Sequence, residues 1–220
     1  MRMYIETREK TIIKRITWND NLFQGRYTID PYRNCEFRCR YCDSASDIIY
    51  VKTNIYESLE EELKNIEGGR IIVGSVYDPY QPAEKIYELT RELLYILRDR
   101  GYPVHILTKS PLVLRDLDIL LDMNSIVTFT IISLKSDIVE YFERFVPSVI
   151  ERLKAMQKLS EKGITTGVAL IPILPYIVED EIEDIIKKVK EYKGGYLLHK
   201  YLCLLYTSDA ADEGLGVDLG

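Results

Sequence analysis

The stretch Ile29-Asp-Pro-Tyr-Arg-Asn-Cys35-Glu-Phe-Arg-Cys39-Arg-Tyr-Cys42-Asp43 decides how the rest of the chain is read. Three of the four cysteines fall within eight residues, spaced Cys-x3-Cys-x2-Cys. Thiolates this close in sequence converge on one inorganic centre if the loop folds back on itself. A closed structural zinc site takes four ligands, and the two histidines, His105 and His199, lie far along the chain. An iron–sulfur cube ordinarily takes four cysteines. Three would leave one iron open to a reacting molecule. A zinc knuckle and a fortuitous group of free thiols remain the plainer alternatives.

Outward from the loop, composition describes an ordinary globular domain. The chain has 220 residues, 46% hydrophobic and 29% charged, enough for one domain with a substantial core. No apolar run approaches the ~20 residues of a membrane helix, and the charged N-terminus lacks an apolar leader segment. Clustered cysteines without partners elsewhere suit a reducing compartment, so a cytoplasmic protein is expected. The net charge is −6, but residues 203–220 hold four acids and no Lys or Arg, which leaves −2 for the remainder. A near-neutral body does not favour nucleic-acid binding, which rests on neutralising phosphates. Arg26, Arg33, Arg38 and Arg40 crowd the cysteine loop. They serve either to offset the charge of a thiolate-ligated cluster or to bind substrate phosphate.

Strand and helix signals alternate on either side. Gly25 to Asp30, Arg70 to Val76, Pro103 to Thr108, Ser125 to Ser133, Ile164 to Pro172 and Gly195 to Leu202 read as six strands. Helices are expected at 55–66, from Pro82 to Gly101 with a stripe of Ile86, Leu89, Leu93 and Leu97, and from Pro111 to about Asp122 after the cap Ser110. Two more are expected at Pro147–Lys162, facing the core with Ile150, Leu153 and Leu159, and at Glu179–Tyr192. Such alternation predicts an α/β fold with a parallel sheet. No Gly-x-Gly-x-x-Gly follows any strand, which disfavours a dinucleotide fold. Residues 1–24 read as an N-terminal extension with Trp18 and Phe23 as packing anchors. Residues 25–202 form the core domain, and 203–220 look like a non-native, adapter-like tail in which Cys203 has no role. The C-terminus is accordingly expected to be truncated and the fold only marginally stable.

Cys-x3-Cys-x-aromatic-Cys, with Tyr41 in the aromatic place, resembles the signature loop of the radical S-adenosylmethionine (SAM) enzymes. The segments Gly74-Ser-Val-Tyr-Asp-Pro-Tyr-Gln-Pro, Ile106-Leu-Thr-Lys-Ser-Pro and Ile164-Thr-Thr-Gly-Val-Ala-Leu-Ile-Pro resemble the branch that contains spore photoproduct lyase and relatives labelled DNA repair photolyases. The resemblance runs from about Ile29 to Leu202. It implies a partial (β/α)6 TIM-like barrel, incomplete at its C-terminal end. It also implies a [4Fe–4S] cluster on Cys35, Cys39 and Cys42, with SAM on the open iron. Reductive cleavage of SAM would then yield a 5′-deoxyadenosyl radical that abstracts hydrogen from an unidentified substrate. A flavodoxin- or ferredoxin-type donor would supply the electron. By position, the Tyr41 backbone lies beside the adenine and Lys109 pairs with the SAM carboxylate, a role that suits a flexible point charge. Ser75, Thr130 and Ser133 are candidate hydrogen-bonders, and Asp78, Tyr80 and Gln81 candidate pocket residues. Each has a plainer alternative as a turn, cap or core residue. One departure stands out. Spore photoproduct lyase returns a hydrogen atom from a cysteine near its second-strand loop, whereas Val73 to Pro82 contains none; the donor is absent unless it lies in the missing C-terminus or Tyr77 or Tyr80 substitutes. Repair of a DNA lesion is therefore the alternative rather than the first reading, and a non-enzymatic zinc-binding domain is the second alternative.

Overall fold

A computed structural model of the chain describes residues 3–17 and 20–201. Trp18, Cys203 and the adapter-like tail lie outside the described residues. Six strands run parallel, as the alternation predicts: β3 (Tyr27–Ile29), β6 (Ile71–Val73), β7 (Val104–Thr108), β8 (Ser125–Thr130), β9 (Thr165–Ile173) and β10 (Leu197–Tyr201). The sheet is open rather than closed, with β2 (Lys14–Arg15) antiparallel to β3 at one edge and β10 at the other. β6 is apolar along its whole length, and β7, β8 and β9 are largely apolar with a few buried polar residues such as His105 and Thr128, because helices cover the sheet. Ile71, Ile72 and Val73 are all buried, as are Val104, Ile106, Val127, Phe129, Val168 and Leu170.

A second, three-stranded sheet was not legible in the sequence. β1 (Met3–Thr7) pairs parallel with β5 (Ile48–Lys52), which pairs antiparallel with β4 (Tyr32–Arg33). Residues read as an extension thus contribute a strand to each sheet. β4 and β5 flank the cysteine loop, so this small sheet anchors both of its ends.

The helices depart from expectation where a buried polar group overrides periodicity. α1 (Ile55–Glu62) buries Ile55 and Leu59 as expected. The segment from Pro82 to Gly101 is not one helix but two, α2 (Glu84–Tyr87) and α3 (Leu89–Asp99), broken at Glu88, whose φ is 50°. Glu84 explains the break. Its carboxylate is buried and accepts from the Thr90 and Arg91 amides, capping the orphan N–H groups that open α3. It also accepts from the Tyr32 hydroxyl and pairs with Arg115. Turning Glu84 inward turns Ile86 out, and Ile86 is 65% exposed rather than part of the stripe.

Ser110 caps the next segment by accepting from the Leu112 amide, but a 3-10 turn over Pro111–Asp116 precedes the short α4 (Leu117–Leu121). α5 (Ser136–Phe142) has no fully buried residue and was not expected. α6 (Val149–Glu161) starts with a capping box between Ser148 and Glu151. Its inner stripe is Val149, Arg152, Leu153, Met156 and Leu159, which leaves Ile150 45% exposed. α7 (Ile182–Glu191) buries Ile185 and Val189. The parallel register brings the ends of β3, β6, β7 and β8 to one rim, and the site is built there.

Candidate active site around the cysteine loop

After Ile29 the chain must reverse twice within a few residues. Asn34 and Arg38 adopt left-handed φ values of 72° and 46°, and the Asn34 side-chain amide donates to the Ile48 carbonyl at 2.8 Å. The Cys35 amide then donates to the Ser44 carbonyl at 2.8 Å, and the Cys42 amide to the Cys39 carbonyl at 3.1 Å. These bonds fold the loop onto itself and place the three thiols, all unpaired, on one turn structure. Gln81 braces it from below. Its side chain accepts from the Glu36 amide and donates to the Asn34 carbonyl. Fully buried, Gln81 is a strut rather than a wall of an open pocket.

Behind the loop lies a polar interior. The end of β7 supplies Lys109, partly exposed, with its Nζ 5.9 Å from the centre of the Tyr41 ring. Burial opposes the Lys109 charge, but Cys39, Glu143 and Asp78 together outweigh it and raise the ammonium's pKa. Asp78 accepts from the Thr108 hydroxyl at 2.7 Å, the Lys109 amide at 2.6 Å and the Tyr80 amide at 2.9 Å. It therefore clamps the loop after β6 onto the end of β7, and burial pushes its pKa up. The Tyr41 hydroxyl donates to Glu143. Glu143 meets Arg152 at 2.8 Å, with both side chains wholly enclosed. Burial, with Asp78 adding to it, pushes the Cys35 thiol up to about 12. Cys39 is raised as well, by burial against the opposing pull of Lys109.

The residues fit a thiolate-ligated cluster. Lys109 and Arg152 place two cations behind three thiols. Arg152 Nε and Nη2, and Glu143 Oε2 beside them, are buried without a hydrogen-bond partner, so this polar interior is not satisfied by the chain alone. Among the described residues, no three His, Cys, Asp or Glu side chains are drawn together as one metal ion needs. A cube offers its irons at separate corners, so its thiolates stand apart.

Residues 29–189 match the Radical SAM superfamily. The chain belongs to that superfamily. A radical SAM domain implies a [4Fe–4S] cluster and SAM, and the three-cysteine loop here is the part suited to hold them. A protein of Methanocaldococcus jannaschii is 33% identical over 184 residues, 78% of this chain and 69% of its own length. One of Mycobacterium tuberculosis is 29% identical over 174 residues, 70% of this chain and 51% of its own. Among solved structures, a spore photoproduct lyase mutant with bound AdoMet and dinucleoside spore photoproduct superposes with TM-score 0.70 at 19% identity, over 99% of this chain and 68% of that one. A radical SAM methyltransferase from Kitasatospora setae superposes with TM-score 0.59 at 13% identity, over 79% and 35%. These structural likenesses show a shared radical SAM fold. The chain spans about half the length of the mycobacterial relative and 60% of another spore photoproduct lyase structure.

The rim places the other candidates unequally. Ser75 is exposed at the end of β6, its hydroxyl against Thr28 and donating to Asp30. Thr130 ends β8, and its carbonyl accepts from Arg152. Ser133 has no exposed surface; its hydroxyl donates to Glu181 and accepts from the Lys135 amide, so it shapes the turn after β8. Tyr80 is likewise enclosed, with its hydroxyl on Asp116, which leaves Tyr77 as the half-buried phenol of that loop. The arginines divide too. Arg26 sits at the far end of β3 and pairs with Glu67. Arg33 stacks on Tyr50 at 3.9 Å, Arg38 on Phe145 at 4.1 Å and Arg40 on Tyr141 at 4.2 Å. Glu143 and Arg152 were missed entirely. The signal was present for Arg152, a charged residue on the apolar stripe of α6.

Proposed function

We propose that the protein is an enzyme that binds a [4Fe–4S] cluster through Cys35, Cys39 and Cys42 and cleaves SAM reductively. The 5′-deoxyadenosyl radical would then abstract hydrogen from a substrate in a lyase or oxidoreductase reaction. The self-closing loop of three free thiols in front of Lys109 is the observation that carries this reading. When bound, the cluster supplies the electron that splits SAM. The chain's own residues bind and orient. Lys109 offers a cation to the SAM carboxylate, with Asp78 fixing its backbone at 2.6 Å. The Tyr41 backbone would lie beside the adenine, and Ser75 and Thr130, at the strand ends, would offer hydrogen-bonding groups to SAM. Ser133 acts indirectly, by holding the turn beside them. Tyr77 is the phenol available to return a hydrogen atom where the lyase branch has a thiol.

The electron donor is proposed to be of flavodoxin or ferredoxin type. The unpaired thiols suit a reducing, cytoplasmic setting. No helix among the described residues is long and apolar enough to cross a membrane. The test is anaerobic reconstitution followed by iron analysis and assay of 5′-deoxyadenosine with SAM and dithionite. About four irons per chain and SAM turnover are expected, both abolished by alanine at any of the three cysteines. Zinc in place of iron, or full turnover in a cysteine variant, would sink the proposal.

A further inference from the structure

Lys52 closes β5 with only 6% of its surface exposed, yet among the described residues its ammonium meets no hydrogen-bond acceptor and no carboxylate at ion-pair distance. Lysine stems often bury while the ammonium stays in water, but here little water is left to it, and an enclosed charge without a counter-charge is costly. The strand register fixes its surroundings. β4 and β5 pair with Tyr32 opposite Val51 and Arg33 opposite Tyr50. Tyr32, Ile49 and Val51 are fully buried, and the Tyr32 hydroxyl reaches Glu84 on α2. Side chains alternate along a strand, so Arg33, Tyr50 and Lys52 share the face turned away from that core. Arg33 stacks on the Tyr50 ring at 3.9 Å, and Lys52 is its diagonal neighbour across the strands, roughly 7–8 Å away. Arg33 likewise has no acidic partner among the described residues. Two cations without acids thus stand side by side, one a planar donor fork and one a point charge.

The same face adjoins the rim. The Lys52 amide donates to the Pro31 carbonyl at 3.4 Å, next to Asp30. Asp30 is within electrostatic reach of Lys52 but forms no ion pair with it, because its oxygens are engaged elsewhere. Oδ1 accepts from the Val76 and Tyr77 amides, and Oδ2 from the Ser75 hydroxyl. We propose that Lys52 and Arg33 form a seat for an oxyanion, phosphate or carboxylate, carried by the substrate. The inference rests on the radical SAM reading above and gives that substrate a negative charge. An anion on this seat lies beside the loop that holds Ser75 and Tyr77, so the body of the substrate extends across that loop towards the cysteines. The seat is separate from Lys109, which ends β7, two strands along the sheet from β3. A charge of −2 for residues 1–202 suits one small anion rather than a polyanion. Burial lowers the Lys52 pKa, and Lys14 and Arg33 add to the lowering while Asp30 and Glu9 oppose it. A bound oxyanion would complete what Asp30 leaves undone.

The experiment titrates the anaerobically reconstituted full chain, its iron content recorded, with sodium phosphate and separately with sodium acetate. Binding is followed by isothermal titration calorimetry at an ionic strength held constant with chloride. Saturable binding of at least one of the two is expected, and the one that binds names the source of the oxyanion. It should persist with SAM present and weaken about tenfold in Lys52→Met, the share of one charge-assisted hydrogen bond. Lys52→Met should melt no lower than the unmodified protein in the absence of either anion, because it removes an unpaired charge from the interior. Arg33→Gln, at an exposed position, should weaken binding similarly and repeats the test where folding is not at stake. Binding of neither anion, binding unchanged in Lys52→Met, or displacement by SAM would overturn the proposal. So would a Lys52→Met variant that melts well below the unmodified protein while Arg33→Gln binds normally, since Lys52 would then serve the fold. Iron uptake without anion binding would overturn this inference alone. Anion binding without iron uptake would overturn the functional reading, and with it the assignment of that anion to the substrate.

Discussion

Replacing Arg152 with Met should be among the most damaging single changes in the core, although it exchanges a charge for an apolar side chain of similar reach. Arg152 is completely enclosed on the inner stripe of α6, among Val149, Leu153 and Met156. Removing it leaves Glu143, also enclosed, with the Tyr41 hydroxyl and the charge of Lys109 but without its ion-pair partner. Breaking one side of a buried pair costs about 3–5 kcal/mol, and the bond from Arg152 to the Thr130 carbonyl is lost with it. Against a total of roughly 5–15 kcal/mol for a folded domain, and with a slope of about 2–3 kcal/mol per molar urea, the midpoint should fall by about 1–2.5 M. The double variant Glu143→Leu/Arg152→Met removes both charges and should recover to within ~1 kcal/mol of the unmodified protein, or exceed it. The assay is urea unfolding followed by far-UV circular dichroism, with the slope checked for constancy. A single variant within ~1 kcal/mol of the unmodified protein would refute the reasoning. A double variant as unstable as the sum of two singles would refute it equally.

Three further outcomes follow from particular contacts. His105 is buried with Nδ1 on the Phe23 carbonyl, which can only accept, so Nδ1 carries the proton and Nε2 accepts from Thr128. Burial lowers its pKa, and the Phe23 carbonyl opposes that only in part. The unfolded chain therefore binds a proton that the folded one resists. Stability from this group is complete above the unfolded value of about 6.5 and is lost as pH falls below it; melting temperatures of the unmodified protein should drop more between about pH 7.5 and 5.5 than those of His105→Gln. Gly74 has φ +85°, and a Cβ there would lie 2.3 Å from Pro79 Cδ and 2.8 Å from the Leu107 carbonyl oxygen. Gly74→Ala should cost more than about 2 kcal/mol in urea unfolding, while Gly68→Ala, with open space around it, should cost almost nothing. Ser148→Ala removes the acceptor for the Glu151 amide and should lower stability by about 1 kcal/mol, a loss that Ser148→Asp should largely restore.

Sequence alone determined the elements whose cause is local. Six parallel strands stood out because each is a short apolar run bounded by Gly, Pro or polar turns. Ser110 and Pro111 marked a helix start because capping involves neighbours in the chain. The three cysteines announced their chemistry by spacing, which a loop of eight residues converts directly into proximity. Tertiary structure decided everything that depends on a partner distant in sequence. β1 is a strand because β5, more than forty residues away, offers it hydrogen bonds. The helix after Pro82 breaks because Glu84 is drawn inward by Tyr32 and Arg115. Ser133 and Tyr80 are spent on Glu181 and Asp116. Glu143 and Arg152 took on their roles only when α5 and α6 packed behind the cysteine loop, because a buried charge is defined by what encloses it. Spacing reveals which groups share a turn; only the packed chain determines what each of them meets across the core.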